Sequence, residues 1–199
     1  MVKPVATKNI RTTTGDFLHA AHGAMPIFIT DQNRIPDPER VLSALPAGAL
    51  VICRDYDHDD RTAYAQWLRS LTSARGQHLL VAGDAGLARR VRADGIHLPE
   101  HQLFDFPKLA GFSIVTAACH SRRALRRAEH VGVDIALVSP VFATSSHIGT
   151  SGMGVHRFAR LVVGVGIAVA PLGGVNKHTV KCLRALRPIA VAAIDGFDT

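Results

Sequence analysis

FSIVTAACHSRRALRRAEHVGVDIALVSPVF, running from Phe112 to Phe142, decides how this chain folds. Its two ends, FSIVTAACH (Phe112–His120) and DIALVSPVF (Asp134–Phe142), are apolar without interruption instead of alternating. A strand that is apolar on both faces is buried on both faces, which implies a parallel sheet covered by helices. Between them, SRRALRRAEHVG (Ser121–Gly132) spaces alanine and leucine as a helix does, with Ser121 placed to cap its start. The stretch is one strand–helix–strand unit.

The same unit recurs along the chain. PIFIT (Pro26–Thr30), ALVICR (Ala49–Arg54), HLLVAGD (His78–Asp84), GIHLPE (Gly95–Glu100), GIAVAPLGG (Gly166–Gly174) and IAVAAID (Ile189–Asp195) add six strands to the two above. Helices are expected over Pro36–Leu45, Asp60–Gly76, Leu87–Gly95 and Asn176–Pro188. Eight such repeats point to an α/β fold, a (β/α)8 TIM barrel. An open doubly wound sheet is disfavoured because no GxGxxG follows the first strand. Only Gly196–Thr199 remain after the last strand, so the final helix is short or missing, and the open flank there suits a second copy in a homodimer. Residues 1–25 are polar and patternless apart from Phe17–Ala21 and read as an arm, flexible or partly helical; the barrel takes residues 26–199.

Composition narrows the function. With 199 residues, 47% of them hydrophobic, the chain can bury one sizeable core. Its net charge of +7 includes two clusters of arginines on helix candidates (Arg89, Arg90 and Arg92; Arg122, Arg123, Arg126 and Arg127), with no aromatic residues interleaved. That pattern makes a solvated outer face and argues against nucleic acid as a partner; the charge suits anionic small molecules. No apolar run approaches the roughly 20 residues that cross a bilayer, so no membrane role is expected. Cys53, Cys119 and Cys182 are far apart and in apolar settings, which suits reduced thiols in the cytoplasm.

In a barrel the C-terminal strand ends face the active site. Here those ends offer Thr30 and Asp31, Arg54, Asp84, His97, His120, Ser139, Gly173 and Gly174, and Asp195. After Ser139 the chain continues SPVFATSSHIGTSGMG, with Thr144, Ser146 and His147 followed by glycines. Such a loop has many hydrogen-bonding groups and little bulk, which is what an anion approaching the backbone needs.

PIFITD, GIHLPE, ACHS, SPVFATSSH and APLGGV, in this order and spacing between Pro26 and Asp195, resemble the thiamine phosphate synthase / TenI family. The resemblance implies a (β/α)8 barrel acting on phosphorylated small molecules. Synthase members join a hydroxymethylpyrimidine diphosphate to a thiazole phosphate, releasing diphosphate with the help of Mg²⁺. By that resemblance Thr144 and Ser146 match hydroxyls that hold the diphosphate, and His147 stands where the family has a lysine. Gly173 and Gly174 match glycines whose N–H groups hold the thiazole's phosphate. Arg54 matches the arginine of a Gln-x-Arg-x-Lys strand end, but Ile52 and Tyr56 replace its glutamine and lysine. Asp84 matches one Mg²⁺ carboxylate, while Gln102 takes the place of the second. Ala118 stands for a serine near strand five, and Pro140 for the histidine of the TenI tautomerases. Three functions follow: a diverged synthase, a TenI-like thiazole tautomerase with His97 or His120 moving the proton, or a non-catalytic barrel that binds a thiazole or thiamine phosphate.

Overall fold

Each apolar run becomes a strand: β1 Met25–Ile29, β2 Leu50–Cys53, β3 His78–Ala82, β4 Gly95–Leu98, β5 Ile114–Cys119, β6 Ile135–Val138, β7 Ala168–Pro171 and β8 Ala190–Ala193. They belong to a computed structural model that describes residues 16–21, 23–105, 109–144 and 151–197. All seven ladders are parallel, in the order β7-β6-β5-β4-β3-β2-β1-β8. β7 and β8 lie side by side without a ladder and nearly close the ring. The fold is the (β/α)8 barrel expected from the uninterrupted strands.

Register decides which side chains fill the barrel. Ile29 pairs with Ile52, Ile52 with Leu80, Ala82 with His97, and His97 with Thr116. Ala118 pairs with Leu137, and Leu137 with Ala170. Side chains alternate along a strand, so these residues share the inner face while Phe28, Val51, Val81 and Ala117 point outward. Outside the sheet lie α1 Pro38–Ala44, α2 Arg61–Ala74, α3 Ala85–Arg90, α4 Arg122–Val131 and α5 Gly154–Val162. The helix expected after Ser121 forms as α4: the Ser121 hydroxyl accepts from Ala124 N–H at 3.1 Å, and Ala124, Leu125 and Ala128 are buried. No helix among the described residues is long and apolar enough to cross a membrane.

One expected helix differs. The Asn176–Pro188 stretch makes a 3-10 turn over Val180–Leu186. Asn176 spends its side-chain oxygen on the amides of His178 and Thr179, which turns the chain locally before any α-helix begins. After β8 the described chain has only the 3-10 turn Asp195–Phe197, consistent with a short final element. The flank left there is not open. Residues 16–20 are helical, and buried Phe17 packs its ring 4.6 Å from Phe197, which in turn lies 6.2 Å from Phe28.

Candidate active site

Alternation carries the inner face of the strands into the mouth of the barrel. Arg54, His120 and Ser139 each lie two residues beyond an inward residue: Ile52, Ala118 and Leu137. They line one cavity of about 390 Å³ together with His97, Thr144, Gly173, Gly174 and Asp195. Eight of the thirteen strand-end and loop residues named from the sequence therefore meet in one place, and Asp31 reaches it only through its ion pair with Arg54. Ser146 and His147 lie outside the described residues.

Thr30 and Asp84 do not line this cavity. Thr30 is fully buried and lies two residues past outward Phe28, so it faces away from the mouth; its hydroxyl donates to Asp55 and accepts from Arg54 N–H at 3.1 Å. It braces the loops after β1 and β2. At Gly83 the backbone turns to φ +71°, ending the strand's alternation before Asp84. The Asp84 carboxylate then caps α3, accepting from Leu87 N–H at 2.8 Å. Asp84→Ala should cost about 1 kcal/mol of stability in urea unfolding, and Asp84→Ser should recover most of it. No loss in the alanine variant would show that the cap is not used.

These donors do not fit a resident Mg²⁺. Among the described residues no three His, Cys, Asp or Glu side chains gather to hold a metal. The second family position, Gln102, is an amide that donates to Gly83 O at 3.0 Å. Mg²⁺ is held by carboxylates and phosphates, and an amide is a poor replacement for the missing acid.

The cavity's charges are paired but accessible. Arg54 Nη2 reaches Asp31 at 2.6 Å with its side chain one-third exposed, which leaves further guanidinium N–H groups for a ligand. Arg34 is held by Asp195 in the same way, across the seam between the first and last strands. His97 is buried with its Nδ1 2.9 Å from the Thr116 hydroxyl. Burial first, and the Arg54 charge second, push its pKa down from 6.5 to about 4. At neutral pH it is an uncharged hydrogen-bonding group and no anion-holding cation.

The sign of that shift gives an acid-side prediction. Because the folded state resists protonating His97, its contribution is complete above the unfolded value near 6.5 and is lost as pH falls towards 4. Between pH 7 and pH 5 the loss should be about 2 kcal/mol. Urea unfolding at both pH values should show a drop of that size, and a smaller one in His97→Leu. An equal drop in both proteins would mean that His97 titrates normally.

His120 is oriented by its backbone surroundings. Its Nδ1 lies 2.9 Å from the Ser139 carbonyl, which can only accept, so Nδ1 carries the proton and the neutral ring keeps a lone pair on Nε2. Its own N–H donates to Glu100 Oε2 at 2.5 Å. Two strands along from His120, Gly173 and Gly174 have φ of +90° and +63°, and no hydrogen-bond partner for their N–H groups occurs among the described residues. A Cβ on Gly174 would stand 2.2 Å from Ala143 O, and one on Gly173 would stand 2.7 Å from Pro140 Cα. Both turns therefore need glycine, and the β6 loop seals against them through Phe142 N–H to Gly173 O at 2.9 Å.

Four charged or polar lining residues were not among the site candidates named from the sequence: Arg34, Tyr56, Glu100 and His101. Tyr56 lies two residues past Arg54, so continuing the alternation one step would have found it. Arg34 sits in a turn and Glu100 opens the 3-10 turn Glu100–Phe104, where no strand or helix period reaches.

The thiamine monophosphate synthase family model (TMP-TENI) matches residues 26–197. An Aquifex aeolicus protein provisionally named thiamine-phosphate synthase 2 is 32% identical over 155 residues, 74% of this chain and 82% of that protein. A thiamine-phosphate synthase of Herpetosiphon aurantiacus is 28% identical, over 81% of each chain. Among solved structures, thiamine phosphate pyrophosphorylase from Pyrococcus furiosus superposes with a TM-score of 0.70 at 25% identity, covering 88% of this chain and 87% of the other. With these matches and the strand-end cavity, the chain belongs to the thiamine monophosphate synthase family.

Proposed function

We propose that this chain is a thiamine phosphate synthase, coupling a hydroxymethylpyrimidine diphosphate to a thiazole phosphate and releasing diphosphate. The observation that carries this reading is one cavity with an arginine-lined wall and a wall of glycine amides that have no partner among the described residues, in a chain of this family. The two walls suit two phosphorylated reactants held side by side.

In the reaction the bond between the pyrimidine's methylene carbon and the diphosphate oxygen breaks, and its electron pair leaves with the diphosphate. The thiazole nitrogen then donates its lone pair to that carbon, forming the new C–N bond. Arg54, fixed by Asp31, stabilises the growing charge on the leaving group, with Thr144, Ser146 and His147 from the β6 loop completing the grip. The amides of Gly173 and Gly174 hold the thiazole's phosphate and so aim its nitrogen. His97 stays neutral and avoids competing with the pyrimidine cation for stabilisation. Asp84 takes no part in this step, since its carboxylate caps α3 away from the cavity.

A bacterial strain lacking its thiamine phosphate synthase should grow without thiamine when it carries this chain. Absence of growth with the folded protein present would count against the synthase reading. His120 favours a second reading, proton transfer on a thiazole phosphate, because its tautomer leaves Nε2 as a base. Exchange of ring-substituent protons with deuterated water, lost in His120→Gln, would support it. A homodimer would have to pair through another face, since Phe17 covers the flank after β8; sedimentation velocity tests for it.

A further inference from the structure

We propose that Tyr56 is a specificity-determining residue, the wall on which the pyrimidine ring stacks, and that Arg61 positions it. The proposal rests on the synthase reading above. Tyr56 lines the cavity, two residues beyond Arg54, and is 49% exposed. A half-exposed tyrosine is ordinarily free to rotate, but this one is held from two sides. The Arg61 guanidinium lies 5.0 Å from its ring centroid. Arg61 in turn is tied to the ends of β3 and β2, donating from Nη2 to Ala82 O at 2.6 Å and to Cys53 O at 3.4 Å. The ring edge rests over Gly83, where a Cβ would come within 3.1 Å of Tyr56 Cε1. The face is thus ordered before any ligand arrives, which lowers the cost of binding a flat ring.

The choice of ring follows from the neighbours. Arg54, beside Tyr56, is placed for the diphosphate, so the ring attached to that diphosphate falls nearest to Tyr56. Gly173 and Gly174 lie beyond β7, on another wall. A phenol carries no positive charge, so Tyr56 cannot supply that of the lysine found at this position in the family, and burial keeps it neutral by raising its pKa. What it adds is an aromatic face.

The test is calorimetry of the full chain with hydroxymethylpyrimidine diphosphate and, separately, with inorganic diphosphate. Tyr56→Leu should bind the pyrimidine compound about tenfold more weakly and inorganic diphosphate nearly as wild type does. Tyr56→Phe should keep most of the pyrimidine affinity. Arg61→Met should show the same ligand-selective loss, with Arg61→Lys recovering part of it; circular dichroism verifies folding of each variant. Equal loss of both ligands in Tyr56→Leu, or a loss in Tyr56→Phe as large as in Tyr56→Leu, overturns stacking. Wild-type protein that binds inorganic diphosphate but not the pyrimidine compound overturns the synthase reading, and the proposal with it.

Discussion

Arg54→Ala will weaken binding of the pyrimidine diphosphate about 100-fold and leave thiazole phosphate binding nearly unchanged. The size follows from losing charge-assisted hydrogen bonds to an anion, in a cavity whose other arginine, Arg34, is engaged by Asp195. A second readout distinguishes this from general damage. The Arg54 charge is the smaller of two causes that hold the His97 pKa near 4, so removing it should move the His97 titration upward. Proton NMR of the histidine ring measures that shift directly. Unchanged affinity for the diphosphate would place its grip elsewhere in the cavity.

Gly174→Ala should destabilise the chain by about 3 kcal/mol, from strain in the left-handed backbone and from forced overlap. The new methyl would stand 2.2 Å from Ala143 O and 2.8 Å from Phe142 Cβ, both in the loop that closes on the cavity. Because that loop also carries Thr144, binding of thiazole phosphate and of diphosphate should fall together. Urea unfolding gives the stability change, and calorimetry gives the affinities. A variant as stable as wild type would show that the loop after β6 yields easily.

The barrel was legible because its strands are apolar on both faces, as in Ala49–Arg54 and Asp134–Phe142; this pattern survives any surrounding detail. Helix type was less so. Asn176 diverts its stretch into a 3-10 turn through local side-chain bonds that hydrophobic spacing does not register. Treating every polar strand end as facing the site brought Arg54, His97, His120 and Ser139 together correctly, since all share the inward parity. Thr30 has the opposite parity, set by outward Phe28. Asp84 has the right parity but follows Gly83, whose positive φ resets the chain. Arg34 reaches the cavity from a turn and Glu100 from the start of a 3-10 turn, and their position depends on tertiary partners: Asp195 for one, the His120 amide for the other.

The most direct measurement is turnover by the purified chain supplied with hydroxymethylpyrimidine diphosphate, thiazole phosphate and Mg²⁺. Thiamine phosphate and diphosphate should appear in equal amounts, and Arg54→Ala should slow the reaction at low pyrimidine diphosphate. A folded chain that binds both ligands yet forms no thiamine phosphate would contradict the synthase reading.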